Sequence, residues 1–157
     1  MKVKLIVIGK TKSKFLIDGE NEYKKRLNHY CKFSELLISD IKNSGKLSKK
    51  ELKEKEGKLI LASLKNSDYL ILLDDKGIKL SSIEFSEFIN QKIVSSANEL
   101  VFVVGGAFGF SQSIYTRANT KLSLSKMTFS HQMVRLIFKE QLYRAFTIIK
   151  GEKYHHE

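Results

Sequence analysis

The 157-residue sequence predicts an α/β fold: a mostly parallel sheet flanked by helices. Short apolar runs rich in Val, Ile and Leu alternate with longer amphipathic segments, the pattern of strands joined by crossover helices. Two of the longer segments open on helix-capping signatures. A hydrophobic content of 42% is enough for a chain of this length to close one core, so a single domain spanning residues 1–157 is expected.

The strands are expected at residues 3–8, 33–39, 69–73, 100–104 and 121–124. The N-terminus is basic and then apolar, as a signal peptide is. Its apolar run is short, β-branched and followed by Gly9-Lys10, so it reads as a buried first strand. Ser48 and Ser81 each precede a Glu by three residues, Glu51 and Glu84, and each pair can satisfy its own free backbone N–H groups at a helix start. The polar stretch 41–47 reads as a surface loop. A last helix is expected over 131–150, ended by Gly151. Its apolar positions Val134, Ile137, Phe138, Leu142, Ala145, Phe146 and Ile149 recur every three or four residues. These positions would face a core or a partner subunit, and a stripe wider than one small core requires points to a second copy of the chain across it.

A formal charge of +11 asks for a polyanionic partner. Residues 1–66 carry 17 Lys and Arg against 8 Asp and Glu, whereas residues 67–157 carry 11 against 9, so the partner-facing surface belongs mainly to the first half. A lysine-inflating base composition is the competing explanation of the same charge. The longest apolar runs fall far short of the roughly 20 residues that a membrane-spanning helix needs. One cysteine, Cys31, suits a reducing compartment, and a cytoplasmic protein is expected.

Gly105-Gly106-Ala107-Phe108-Gly109 follows the fourth predicted strand, where glycines let backbone approach a ligand closely. It is not a dinucleotide fingerprint, which needs Gly-x-Gly-x-x-Gly after a first strand, and Gly9-Lys10-Thr11 lacks the earlier glycine of a phosphate-binding loop. The four histidines have no partners at metal-ligand spacing, so no metal is expected. On the last helix Glu140 precedes Arg144 by four, the favourable order for an ion pair.

Read by residue chemistry alone, the sequence reaches a basic α/β domain with a glycine-lined ligand loop. A combination of motifs reaches further. Val101-Phe102-Val103-Val104-Gly105-Gly106, the run Leu122-Ser123-Leu124-Ser125-Lys126-Met127-Thr128-Phe129, His131-Gln132-Met133-Val134-Arg135, Glu140-Gln141-Leu142-Tyr143-Arg144-Ala145 and Tyr154-His155 together resemble the RlmH family. These are SPOUT-class methyltransferases that act on N3 of a pseudouridine in large-subunit ribosomal RNA. The likeness extends to the N-terminal Gly9-Lys10-Thr11-Lys12 and Glu22-Tyr23-Lys24-Lys25-Arg26-Leu27. The chain departs from the family pattern at Ser130, where a proline is usual, and at Ala107-Phe108, where polar or turn-forming residues are common. Ser130 suits a helix N-cap.

The resemblance implies a C-terminal trefoil knot, a homodimer, ribosomal RNA as partner and S-adenosyl-L-methionine as cofactor. It implies a cofactor site at Leu73, Gly105, Leu124, Ser125, Lys126, Met127, Thr128 and Phe129. Leu73 reads equally as a core residue. Substrate-side groups are expected at His131, Arg135, Arg144, Tyr154 and His155, where Arg or His can stabilise charge on the ring or contact phosphate. Each has a structural role open to it as well: Arg144 in a pair with Glu140, His131 at its helix start. The residues after Gly151 read as a tail that is mobile until RNA arrives. Two other functions stay open: a non-catalytic RNA-binding module, and a methyltransferase of the same fold acting on transfer RNA.

Overall fold

The computed structural model describes residues 1–95 and 97–156. Five strands, β1 (Lys2–Ile8), β2 (Lys32–Ile38), β3 (Tyr69–Lys79), β4 (Leu100–Val104) and β5 (Thr120–Ser123), form one sheet in the order β2-β1-β4-β3-β5. Every neighbouring pair is parallel. Four helices join them, α1 (Lys14–Leu27), α2 (Lys49–Ala62), α3 (Ser82–Val94) and α4 (Gln112–Arg117), and α5 (Met133–Ile149) follows β5.

Because successive strand residues face opposite sides, each strand feeds two cores. Val3, Leu5 and Val7 with Leu100, Phe102 and Val104 pack against α1, α3 and α5 through Leu27, Phe85, Ile89, Phe138 and Leu142. Ile6 and Ile8 with Val101 and Val103 face α2 and α4 through Ile60 and Ile114. The central β4 is buried at every position, as a parallel strand covered on both faces must be.

The capping expectations correspond to real bonds. Ser48 Oγ accepts from Glu51 N at 3.1 Å, and Ser81 and Glu84 close a reciprocal box. The last helix begins two residues later than expected. Ser130 Oγ accepts from Met133 N at 3.1 Å, and His131-Gln132 form a turn leading into α5. Its end is as expected: Gly151 takes φ +69°, and Glu152 N donates to Thr147 O while Gly151 N donates to Ile148 O, the paired bonds of a Schellman ending. β3 runs six residues beyond the strand expected at 69–73. Its ladder with β5 breaks between Leu73 and Ile78, and Asp74 to Lys76 loop out. Gly77 then returns so close to β5 that a Cβ would stand 2.6 Å from Leu122 N.

The stripe on α5 needs a different explanation from a partner subunit. Phe138, Leu142, Ala145 and Phe146 belong to this chain's own core, with Val134 and Ile149 packed against it. Its width comes from α5 lying against both α1 and α3 as well as the sheet. The helix also buries two cations. Arg135, 2% exposed, donates to Ile8 O at 2.7 Å, Gly9 O at 2.8 Å and Thr11 Oγ1 at 3.2 Å. Lys139, 1% exposed, pairs with Glu35 and lies 3.7 Å from Glu20, whose carboxylate also accepts from Thr11. The tail is docked: Glu152 accepts from Tyr30 at 2.6 Å, and Tyr154 packs edge-on against Tyr143 at 4.7 Å. This corrects the expectation of a free mobile tail, because its aromatic ring finds apolar surface between α1 and α5. No helix among the described residues is long and apolar enough to cross a membrane.

Replacing Arg135 with Met should strand the buried carbonyls of Ile8 and Gly9 and destabilise the fold by about 2–4 kcal/mol, read from denaturant midpoints. Cys31 is buried, and desolvation pushes its thiol up to about 12. The native protein should therefore resist alkylation at neutral pH and react fully once unfolded.

Candidate active site

A cavity of about 560 Å³ opens at the bulge of β3 and the carboxyl ends of β4 and β5. This is where ligands bind in open parallel sheets, because strand ends and the loops leaving them present unpaired backbone groups. Three segments wall it: Leu73 to Lys76 from the β3 bulge, Val104 to Phe110 after β4, and Leu122 to Ser125 with Met127 to His131 after β5. Val134 adds the first turn of α5.

The expected cofactor residues Leu73, Gly105, Leu124, Ser125, Met127, Thr128 and Phe129 all line this cavity, whereas Lys126 is exposed on the same loop and does not. Leu73 is also packed against the core, so both roles proposed for it coincide. Gly105 is needed for a nearer reason than ligand approach: a Cβ there would stand 3.0 Å from the Phe110 ring. The loop after β5 is braced internally. Ser123 Oγ donates to Ser125 O at 2.8 Å, and Met127 N donates to Ser125 Oγ at 2.9 Å.

One wall is acidic. Tyr115 Oη donates to Asp74 Oδ2 at 2.5 Å, and Lys76 N donates to Asp74 Oδ1 at 2.8 Å. Partial burial alone would raise the Asp74 carboxyl. The Tyr115 hydroxyl and Lys76 amide outweigh that effect, with Lys121 adding to them, and hold it below its ordinary 3.8. Burial and the same contact push the Tyr115 phenol up to about 12. At neutral pH the wall therefore holds a carboxylate beside a neutral phenol, an arrangement suited to a cationic or hydroxyl-bearing ligand. Asp74, Asp75 and Tyr115 were not anticipated from the sequence. The signal available was that Asp74-Asp75 directly follow the apolar run 69–73, at the carboxyl end of a strand.

The substrate-side candidates divide into three places. His131 is exposed on the cavity rim. Arg135 is not a surface group: its guanidinium is committed to the end of β1, so direct contact with RNA gives way to a bracing role. Arg144, Tyr154 and His155 form a separate cluster at the far end of α5. Arg144 pairs with Glu140 at 2.5 Å, lies 3.2 Å from His155 Nδ1 and sits 4.7 Å over the Tyr154 ring. Tyr154 Oη also meets Tyr23 Oη at 3.1 Å and Glu140 at 3.0 Å, while the buried Nε2 of His155 has no hydrogen-bond partner among the described residues. A helix rise of 1.5 Å per residue separates this cluster from Val134 by about 15 Å. Among the described residues no group of three or more His, Cys, Asp or Glu is placed to hold a metal ion.

The family model described as "Predicted SPOUT methyltransferase" matches residues 1–155. A protein of Parabacteroides distasonis named ribosomal RNA large subunit methyltransferase H is 55% identical over 157 residues, covering all of both chains. Proteins of the same name from Cytophaga hutchinsonii and Flavobacterium johnsoniae are 56% and 55% identical, over 99% and 100% of this chain and the whole of each relative. With a family match over nearly its full length and relatives more than half identical from end to end, the chain belongs to the SPOUT methyltransferases.

Proposed function

We propose that this protein is a ribosomal RNA methyltransferase that transfers the methyl group of S-adenosyl-L-methionine to N3 of a pseudouridine in the 23S RNA of the large subunit. The observation that carries the reading is the cavity at the β3 bulge and the ends of β4 and β5, in a chain whose full-length relatives are named as large-subunit RNA methyltransferases. Its volume falls within the range of about 300–1,000 Å³ usual for small-molecule sites. The donor set fits the cofactor: Leu73, Leu124 and Phe129 offer apolar surface for adenine, the segments around Gly105 and Ser125 to Thr128 offer backbone groups for its edges, and ionised Asp74 suits a sulfonium. When bound, the cofactor supplies an electrophilic methyl group.

The chain's own residues then hold the acceptor in line. His131 meets it at the rim, and Arg144, Tyr154 and His155 supply a cation, an aromatic face and an imidazole for ring and phosphate. The two sets lie about 15 Å apart along α5, so one nucleotide meets both only when a second subunit contributes the distal cluster. This supports a homodimer, now argued from the divided site rather than from the apolar stripe. The convergence of three chain segments on one cavity supports a knotted C-terminal region within a single domain. A reducing, cytoplasmic setting agrees with buried, unpaired Cys31 and with ribosomes as substrate.

Mass mapping of 23S RNA after incubation with undermethylated ribosomes and S-adenosyl-L-methionine should place one new methyl group on a pseudouridine. Modification of transfer RNA instead, or none, would overturn the assignment. Asp74→Asn should weaken S-adenosyl-L-methionine binding on the order of tenfold in calorimetry, and weaken S-adenosylhomocysteine, which lacks the sulfonium charge, distinctly less. Equal losses would remove the charge from the argument. Truncation after Gly151 should abolish methylation while leaving cofactor binding near the parent value. Because Tyr154 is docked, a modest loss of thermal stability should accompany it.

A further inference from the structure

We propose that Phe108 is a stacking platform for an unpaired base of the RNA substrate, with Lys49 beside it and the exposed lysines of the same loop and helix start holding the flanking phosphates; this rests on the proposed action on RNA. Gly106 and Gly109 pair across a tight turn, Gly109 N donating to Gly106 O at 3.2 Å, and Gly109 takes φ +84°. The turn carries Phe108 to its tip at the mouth of the cavity, where the side chain remains 46% exposed. Two residues later Phe110 is 6% exposed and belongs to the core, so the segment has one aromatic for packing and one facing outward.

Charge identifies the occupant. Lys49 Nζ lies 5.0 Å from the centre of the Phe108 ring. Lys42, Lys46, Lys49 and Lys50 are all exposed, and among the described residues none of them forms an ion pair. The Lys49 ammonium beside an exposed ring, with further exposed lysines on the same loop and helix start, attracts a polyanion. Single-stranded nucleic acid satisfies both features, since its bases stack on aromatic rings while its phosphates meet lysines. Paired A-form RNA does not, because its bases are already stacked and its readable groove is shallow. Phe108 is thus a positioning residue that steers an unpaired segment to the cavity.

The test is steady-state methylation of ribosomes by the dimeric, full-length enzyme. Phe108→Ala should raise KM for the RNA substrate on the order of tenfold, Phe108→Tyr should restore it, and S-adenosyl-L-methionine affinity by calorimetry should not change. An RNA KM equal to the parent's, or a tenfold loss of cofactor affinity, would overturn the inference; the latter would assign the ring to the cofactor pocket. In fluorescence anisotropy with a short single-stranded oligoribonucleotide, Phe108→Ala should weaken binding, and Lys49→Ala with Lys50→Ala should flatten its salt dependence. If the parent methylates no ribosomal RNA but still binds the oligonucleotide through Phe108, the proposed reaction fails and the platform stands. If binding ignores Phe108, the platform fails whatever the reaction.

Discussion

A buried cation cannot be left unpaired, and α5 buries two. Removing Arg135 and Lys139 from water is tolerable only because partners reach them from the first half of the chain: the carbonyls of Ile8 and Gly9, Thr11, Glu20 and Glu35. The helix is therefore fixed to the end of β1, the middle of β2 and α1, and not merely laid on a greasy sheet. Apolar packing alone would allow α5 to slide or rotate, since Phe138, Leu142 and Phe146 could seat against other leucines and valines at little cost. Guanidinium donors aimed at two successive carbonyls permit one register. Gly19 reinforces it, because α1 approaches α5 so closely that a Cβ there would stand 3.0 Å from Leu136.

That fixed register positions the site. Gln132 bonds to both sides of the Lys10 to Lys12 loop, accepting from Lys12 N at 2.9 Å, so the segment carrying His131 is held against the N-terminal loop as well as against the cavity. At the other end of the helix, the Schellman ending turns the chain back so that Tyr154 and His155 return to Tyr23, Glu140 and Arg144. One helix thus presents a cavity rim at its start and a polar aromatic cluster at its end. The distance between them follows from helix geometry.

The cavity itself follows from the sheet. Parallel strands run side by side, so the β3 bulge and the segments leaving β4 and β5 meet around one cavity. The break in the β3–β5 ladder adds the acidic wall by pushing Asp74 and Asp75 out of the strand, where Tyr115 from α4 fixes the first of them. The glycines on this edge divide their duties. Gly77 lets β3 return against β5, Gly105 makes room for Phe110, and Gly109 turns the chain back after Phe108.

The five strands, the helix caps at Ser48 and Ser81, the closing glycine of α5 and the glycine-lined loop after β4 were all legible in the sequence. Each depends on local spacing or on one residue's conformational freedom. The family, and with it the segments that line the cavity, was legible as a combination of motifs. Tertiary structure decided what depends on distant neighbours. It turned Arg135 from a candidate RNA contact into a brace, because its partners lie more than a hundred residues earlier in the chain. It assigned the apolar stripe of α5 to this chain's own core, because α1 and α3 flank the helix on one face of the sheet. It docked the tail, because Tyr23, Tyr30 and Tyr143 meet there only after folding. Asp74 and Tyr115 came together for the same reason: periodicity reports which face a side chain takes, while the identity of what it meets is set by how the elements pack.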